Sequence, residues 1–185
     1  MASGQHNEVE VKFKVDCSQL EEIRARVMEL GGEVVDASEE EDVYLAHPCR
    51  DLLSADEALR VRYVDGRPRA LTYKGPRTGG PYKSRSEITL AVTSDPMPLL
   101  ESLGFSRAVT VTKFRIYLRL GNAMITVDNV RDLGCFVEVE SLRGDPADID
   151  EAVRRLDIRG ERVNETYAEM ALRRAAGTGP AATKG

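Results

Sequence analysis

The segment "NEVEVKFKV", Asn7 to Val15, alternates without a fault. Val9, Val11, Phe13 and Val15 fall on one side of an extended chain, and Glu8, Glu10, Lys12 and Lys14 fall on the other. The habit recurs: "LRVRY" alternates Arg60 and Arg62, "LTYK" offers Thr72 and Lys74, and "RSEITL" offers Arg85 and Glu87. "TKFRIY" offers Lys113 and Arg115, "ITVD" offers Thr126 and Asp128, and "FVEVE" offers Glu138 and Glu140. A fold that accommodates this chain must therefore be built from strands with one apolar and one strongly charged face.

With the first strand, extended segments at 42–45, 58–64, 69–74, 84–91, 108–118, 122–128 and 135–141 make about eight. The connections "VDGRP", "RLGNA" and "VRDLG" are short and carry turn residues, so neighbouring strands are expected to pair as antiparallel hairpins. Helices are predicted after Ser18, which with Glu21 makes a capping box, from Asp95, from Asp145 with Pro146 in its first turn, and through "ETYAEMALRRA". "GPRTGGPYK", Gly75 to Lys83, reads as a loop; it is no P-loop, because Gly80 is followed by Pro81 and no helix pattern follows.

A length of 185 residues with 42% hydrophobic and 31% charged residues fits one globular domain, set at residues 1–176, with a flexible tail at 177–185. The absence of a long apolar run and of a secretory leader pattern places the expectation in the cytoplasm, without membrane contact. A net charge of −5 argues against a generic nucleic-acid surface. Cys17, Cys49 and Cys135 are odd in number and never spaced as CxxC, so free thiols are expected and no disulfide.

Two readings of the charged faces stay open on the residues alone. In an ordinary antiparallel sheet they face water and make weak cross-strand pairs. In a sheet closed into a barrel they face inward, and a crowded ionic interior calls for an ionic content. Arg and Lys would hold a polyanion, carboxylates would hold hard divalent cations, and a metal-bound polyphosphate answers both.

The ordered set Glu8-x-Glu10-x-Lys12, "DVYLAHPCRDLLSADEALRVRY", "LTYKGP", "SRSE", "TKFRIY", "VDNVRDLGCFVEVE" and Tyr167 resembles the CYTH superfamily, the triphosphate tunnel metalloenzymes. "HPCRDLLSADEALRVR" and "TYKGP" are most similar to its class IV adenylate cyclase branch. The resemblance implies an α+β fold, a closed eight-stranded antiparallel β-barrel with helices packed outside. It implies Mg2+ or Mn2+ held by Glu8, Glu10, Glu87, Asp128, Glu138 and Glu140. Lys12, Arg60, Arg62, Lys74, Arg85, Lys113 and Arg115 would grip the triphosphate. With no His placed as a general base, a Lys of lowered pKa or a metal-bound hydroxide is the candidate for deprotonation, and Lys74 and Lys113 are named as catalytic in that role.

The implied reaction is conversion of ATP to cyclic AMP and pyrophosphate. The alternatives are hydrolysis of thiamine triphosphate, inorganic triphosphate or a nucleoside triphosphate, and a binder without catalysis. A homodimer is allowed. His6, read as preceding the first strand, and His47, read as a loop or packing residue, are assigned no catalytic role.

Overall fold

The alternating segments pair as one antiparallel sheet that closes on itself, in a computed structural model that describes residues 4–177. The strands are β1 (Gly4–Val15), β2 (Glu33–Ala46), β3 (Ala58–Val64), β4 (Arg67–Lys74), β5 (Lys83–Ala91), β6 (Ser106–Leu120), β7 (Ala123–Val130), β8 (Gly134–Ser141) and the short β9 (Gly160–Arg162). In space they run β5-β4-β3-β2-β6-β7-β8-β1, and β1 returns to β5. The length of β1 makes closure possible: Gly4–Glu10 pair with β5, and Glu10–Val15 pair with β8. The β9 strand adds to the edge of β1 at Phe13–Val15. This is the closed eight-stranded barrel expected, with one strand more.

Four helices pack on it: α1 (Gln19–Glu29), α2 (Met97–Ser102), α3 (Pro146–Leu156) and α4 (Tyr167–Ala175). Ile23 and Val27 of α1 and Ile149 and Leu156 of α3 meet the outward residues Val9, Val11, Ile125 and Val139. Met97 and Leu100 of α2 cover Val43 and Val61. Burying each Val, Leu or Ile stabilises the fold by about 1.5–3 kcal/mol. The cover is incomplete, for Ile88 and Leu90 on the outer face of β5 remain 39% and 50% exposed. The fourth helix packs over one end of the barrel, where Tyr167 and Met170 meet Val111, Val130 and Phe136.

At the β3–β4 hairpin Asp65 and Gly66 both take positive φ, 49° and 74°, the backbone that suits a two-residue turn between right-twisted strands. Gly160 is needed for another reason: a Cβ there would collide with the Lys14 carbonyl, so only glycine lets β9 approach β1.

Several expectations are corrected. Ser18 makes no cap; its backbone N–H and hydroxyl both donate to Asp16 Oδ1, at 2.9 and 2.7 Å, and Glu21 accepts from Arg24 instead. A capping box does form at α4, between Thr166 and Glu169. The second strand begins at Glu33 rather than Asp42, and the first at Gly4, so His6 belongs to β1. Cys17 and Cys135 form a disulfide. The register explains it, since Val15 stands opposite Cys135 and the chain two residues on keeps the same face. Of the proposed tail, residues 178–185 lie outside the described residues. Among those described, no helix is long and apolar enough to cross a membrane.

Candidate functional site: a charged cavity inside the barrel

The charged faces point inward. Eight basic and five acidic side chains line a cavity of about 220 Å3 inside the barrel. Every residue assigned to triphosphate contributes to its wall, and so do Glu8, Glu10, Glu87, Glu138 and Glu140. Asp128 does not: it is fully buried behind the wall. Arg115 holds both its oxygens in a fork, and the Tyr167 hydroxyl donates to Oδ2 at 2.7 Å.

Three ionic clusters divide the wall. In the first, Lys74 Nζ lies 2.6 Å from Glu8 Oε1 and 2.7 Å from Glu87 Oε2, Arg85 Nε lies 3.1 Å from Glu8 Oε2, and Lys83 Nζ lies 2.7 Å from Glu10. In the second, Glu138 takes Lys12 at 3.1 Å and Arg115 at 2.6 Å, while Lys12 Nζ stands 4.0 Å from the centre of the Tyr167 ring. In the third, Asp42 receives a two-pronged contact from Arg62, at 2.7 and 2.8 Å, with Arg60 at 3.1 Å and Lys113 at 2.7 Å. Glu40 adds a second acid to that group, 3.0 Å from Lys113.

Burial in such a place raises a carboxyl pKa unless cations outweigh it. For Glu8 they do: burial pushes it up, but Lys74, Arg85 and Lys83 hold it well below the usual range. Glu140 is the opposite case, pushed up to about 8 by burial and then by the charges of Glu8 and Glu10. Lys74 is raised, because Glu8 and Glu87 offset the cost of burying it, a direction that a general base does not need. Lys83 is lowered, by burial and by Lys12 and Arg85, despite the opposing pull of Glu10.

Among the described residues no three acids, His or Cys converge closely enough to hold a cation as they stand. The donor set nevertheless fits a hard divalent ion. Glu8, Glu10, Glu87 and Glu140 are oxygen donors on one wall; burial and then the charges of Glu8 and Glu10 push Glu140 up, and a cation among them would relieve that repulsion. The ammonium groups of Lys74 and Lys83 would then be released toward an anion.

One orphan donor points the same way. Arg60 lines the cavity, and its Nε is buried without a hydrogen-bond acceptor. A buried donor left unpaired is costly, and an anion in the cavity would satisfy it.

The sequence reasoning missed Glu40, Asp42, Lys83, Tyr117 and Tyr167 as parts of this interior. "SEEEDVY" does carry the signal, since Ser38, Glu40 and Asp42 alternate with outward residues, but four successive acids read more simply as a solvated run. Lys83 was hidden at the end of a glycine-rich loop. Lys14 leaves the interior at the barrel rim, exposed, with Nζ 5.9 Å from the Phe136 ring. His47 lies outside the cavity, accepting from the Cys49 N–H at 3.0 Å and packing edge-on against Phe105.

A family model for the CYTH domain matches residues 6–166. This chain belongs to the CYTH family. The CYTH match ends just before Tyr167, whose hydroxyl nonetheless reaches into the barrel wall. A protein of Methanocaldococcus jannaschii, provisionally named an adenylate cyclase, is 29% identical over 151 residues, covering 80% of this chain and 85% of the relative. Among solved structures, a protein of Pyrococcus horikoshii is 31% identical with a TM-score of 0.77, covering 90% of this chain and 99% of that one. A Hippeastrum protein, named for adenylyl cyclase but described with a dominant triphosphatase activity, shares the fold at 14% identity and a TM-score of 0.67. That likeness covers 91% of this chain and 96% of the other.

Proposed function

We propose that this CYTH protein is a metal-dependent enzyme acting on a triphosphate inside the barrel, and that its reaction is the adenylate cyclase reaction. The observation that carries the reading is the cavity wall, with its eight bases, five carboxylates and the unpaired Nε of Arg60. The bases exceed the acids that face the cavity, which suits a polyanion; the acids would have little use in a plain anion binder.

In this reading Arg60, Arg62, Arg85 and Arg115 bind phosphate oxygens through forked hydrogen bonds, while Lys12, Lys74 and Lys113 supply compact charges. Lys74 and Lys113 act catalytically by stabilising charge on the phosphoryl group in transfer, positioned by Glu8 and Glu87 and by Glu40 and Asp42. Glu8, Glu10, Glu87, Glu138 and Glu140 would hold Mg2+ or Mn2+, which when bound neutralises phosphate charge and orients the leaving group. Asp128 serves by fixing Arg115. The ribose 3′-hydroxyl oxygen forms a bond to the α-phosphorus as its proton passes to water, the bond from that phosphorus to the bridging oxygen breaks, and pyrophosphate leaves with the bonding electron pair. The relative from M. jannaschii supports the cyclase assignment by name.

A second reading is hydrolysis of inorganic, thiamine or nucleoside triphosphate, in which water attacks the terminal phosphorus. It is favoured by the charged majority of the wall, eight bases and five acids, whose contacts suit phosphate whatever group the phosphate carries. Purified protein incubated with Mg2+ or Mn2+ and, separately, ATP, thiamine triphosphate and inorganic triphosphate decides between them. Cyclic AMP with pyrophosphate selects the cyclase. Orthophosphate without cyclic AMP selects the triphosphatase, and binding without turnover leaves a sensor.

A further inference from the structure

Two cavities approach each other in the barrel, and one side chain lines both. The substrate cavity and an open vestibule of about 870 Å3 at the β3–β4 hairpin end share Tyr117 alone among their described lining residues. The Tyr117 hydroxyl donates to Glu40 Oε1 at 2.5 Å and accepts from Arg62 Nη1 at 3.1 Å. Arg62 faces the substrate cavity and Glu40 faces the vestibule, so this chain of bonds runs through the partition itself. The Arg115 guanidinium lies 5.6 Å from the centre of the ring. Swinging the ring aside would break two hydrogen bonds to buried ionic groups, which are the strong kind.

The far side is also polar. Ser38 Oγ is buried against the vestibule with no hydrogen-bond partner. Arg67 and Arg69 bring two positive charges to its wall, while Asp36 and Asp65, also there, accept from the backbone N–H groups of Ala37 and Glu39.

We propose that Tyr117 is the end wall that sets how long a phosphate chain the tunnel seats. This rests on the triphosphate reading above and deepens it. On the near side three phosphates are engaged by the basic wall; a further unit in a longer chain stays outside in water and adds little. Without the ring, a linear polyphosphate passes into the vestibule and gains Ser38, Arg67 and Arg69 as partners. Tyr117 is thus a specificity-determining residue that takes no part in bond making.

The test is calorimetric titration of inorganic triphosphate and of long linear polyphosphate into wild type, Tyr117→Phe and Tyr117→Ala at one salt concentration. The readout is the ratio of long-chain to triphosphate affinity. Tyr117→Ala is expected to raise that ratio about tenfold or more, the effect of one added charge-assisted hydrogen bond, while Tyr117→Phe, which keeps the ring, leaves it near the wild-type value. If Tyr117→Ala fails to fold by thermal melting, Tyr117→Val serves, since a β-branched residue suits the strand and still removes the ring. An unchanged ratio in the opened variant, with triphosphate still bound, overturns the end wall alone. An equal rise in Tyr117→Phe does the same. Wild type that binds neither anion overturns the triphosphate reading and this inference together.

Discussion

Lys113 Nζ lies 2.7 Å from Asp42 Oδ2, with each side chain only 1% exposed. The two residues are 71 apart in the chain and stand on adjacent strands, two register positions from being directly opposite. Asp42 also takes Arg60 and Arg62, so one carboxylate touches three cations in the barrel interior, two of which Glu40 shares.

Replacing Asp42 by Asn should therefore leave buried cations under-compensated. A loss of about 3–5 kcal/mol in unfolding free energy is expected, the usual effect of removing one partner of a buried pair. Urea unfolding measures it, and a loss below about 1 kcal/mol would contradict the cluster as described.

Glu40 makes acid stability a second test. Burial pushes its carboxyl up, but Arg62, Lys113 and Arg115 outweigh burial and hold it at about 2, below the ordinary 4.5. Between those values the unfolded chain binds the proton more readily than the folded one. The contribution is complete above about pH 4.5 and is lost as the pH falls through about 2, and it is on the order of 3 kcal/mol. Glu40→Gln should flatten that limb of the stability profile; an acid limb identical to wild type refutes the assignment.

Arg60 offers a buried, unpaired Nε to the cavity. Arg60→Lys keeps a charge but removes the fork, and triphosphate affinity is expected to fall about 10- to 100-fold. Equal affinity in a calorimetric titration would show that no phosphate reaches Arg60.

The Cys17–Cys135 bridge spans 118 residues of sequence. Closing so long a loop restricts the unfolded chain, so reduction is expected to lower stability by about 2–4 kcal/mol. Guanidinium unfolding with and without dithiothreitol measures this, and Cys17→Ser should make the two curves coincide. Exposed Cys49, which is free, should make no difference when changed to Ser.

Most of the cavity wall was legible one strand at a time. Period-two alternation in "NEVEVKFKV" already separates Val9 and Val11, which meet α1 and α3, from Glu8, Glu10 and Lys12, which meet the cavity. The same reasoning located Arg60, Arg62, Lys74, Arg85, Lys113, Arg115, Glu138 and Glu140. It failed where local chemistry had a simpler use: the acid run hid Glu40 and Asp42, and the count and spacing of cysteines argued against a bridge that only the β1–β8 register could bring about.

What the sequence determined by itself is which side chains share a face, because a strand alternates whatever it pairs with. It could not say which acid meets which base, nor where the interior ends. Those follow from how distant strands pair: β1 joins β5 with one half and β8 with the other, bringing Glu8 to Lys74 across 66 residues, and β2 pairs with β6, bringing Tyr117 to Glu40 across 77. A charge buried in a low-dielectric interior must find its partner there, and the register of distant strands alone decides which partner is within reach.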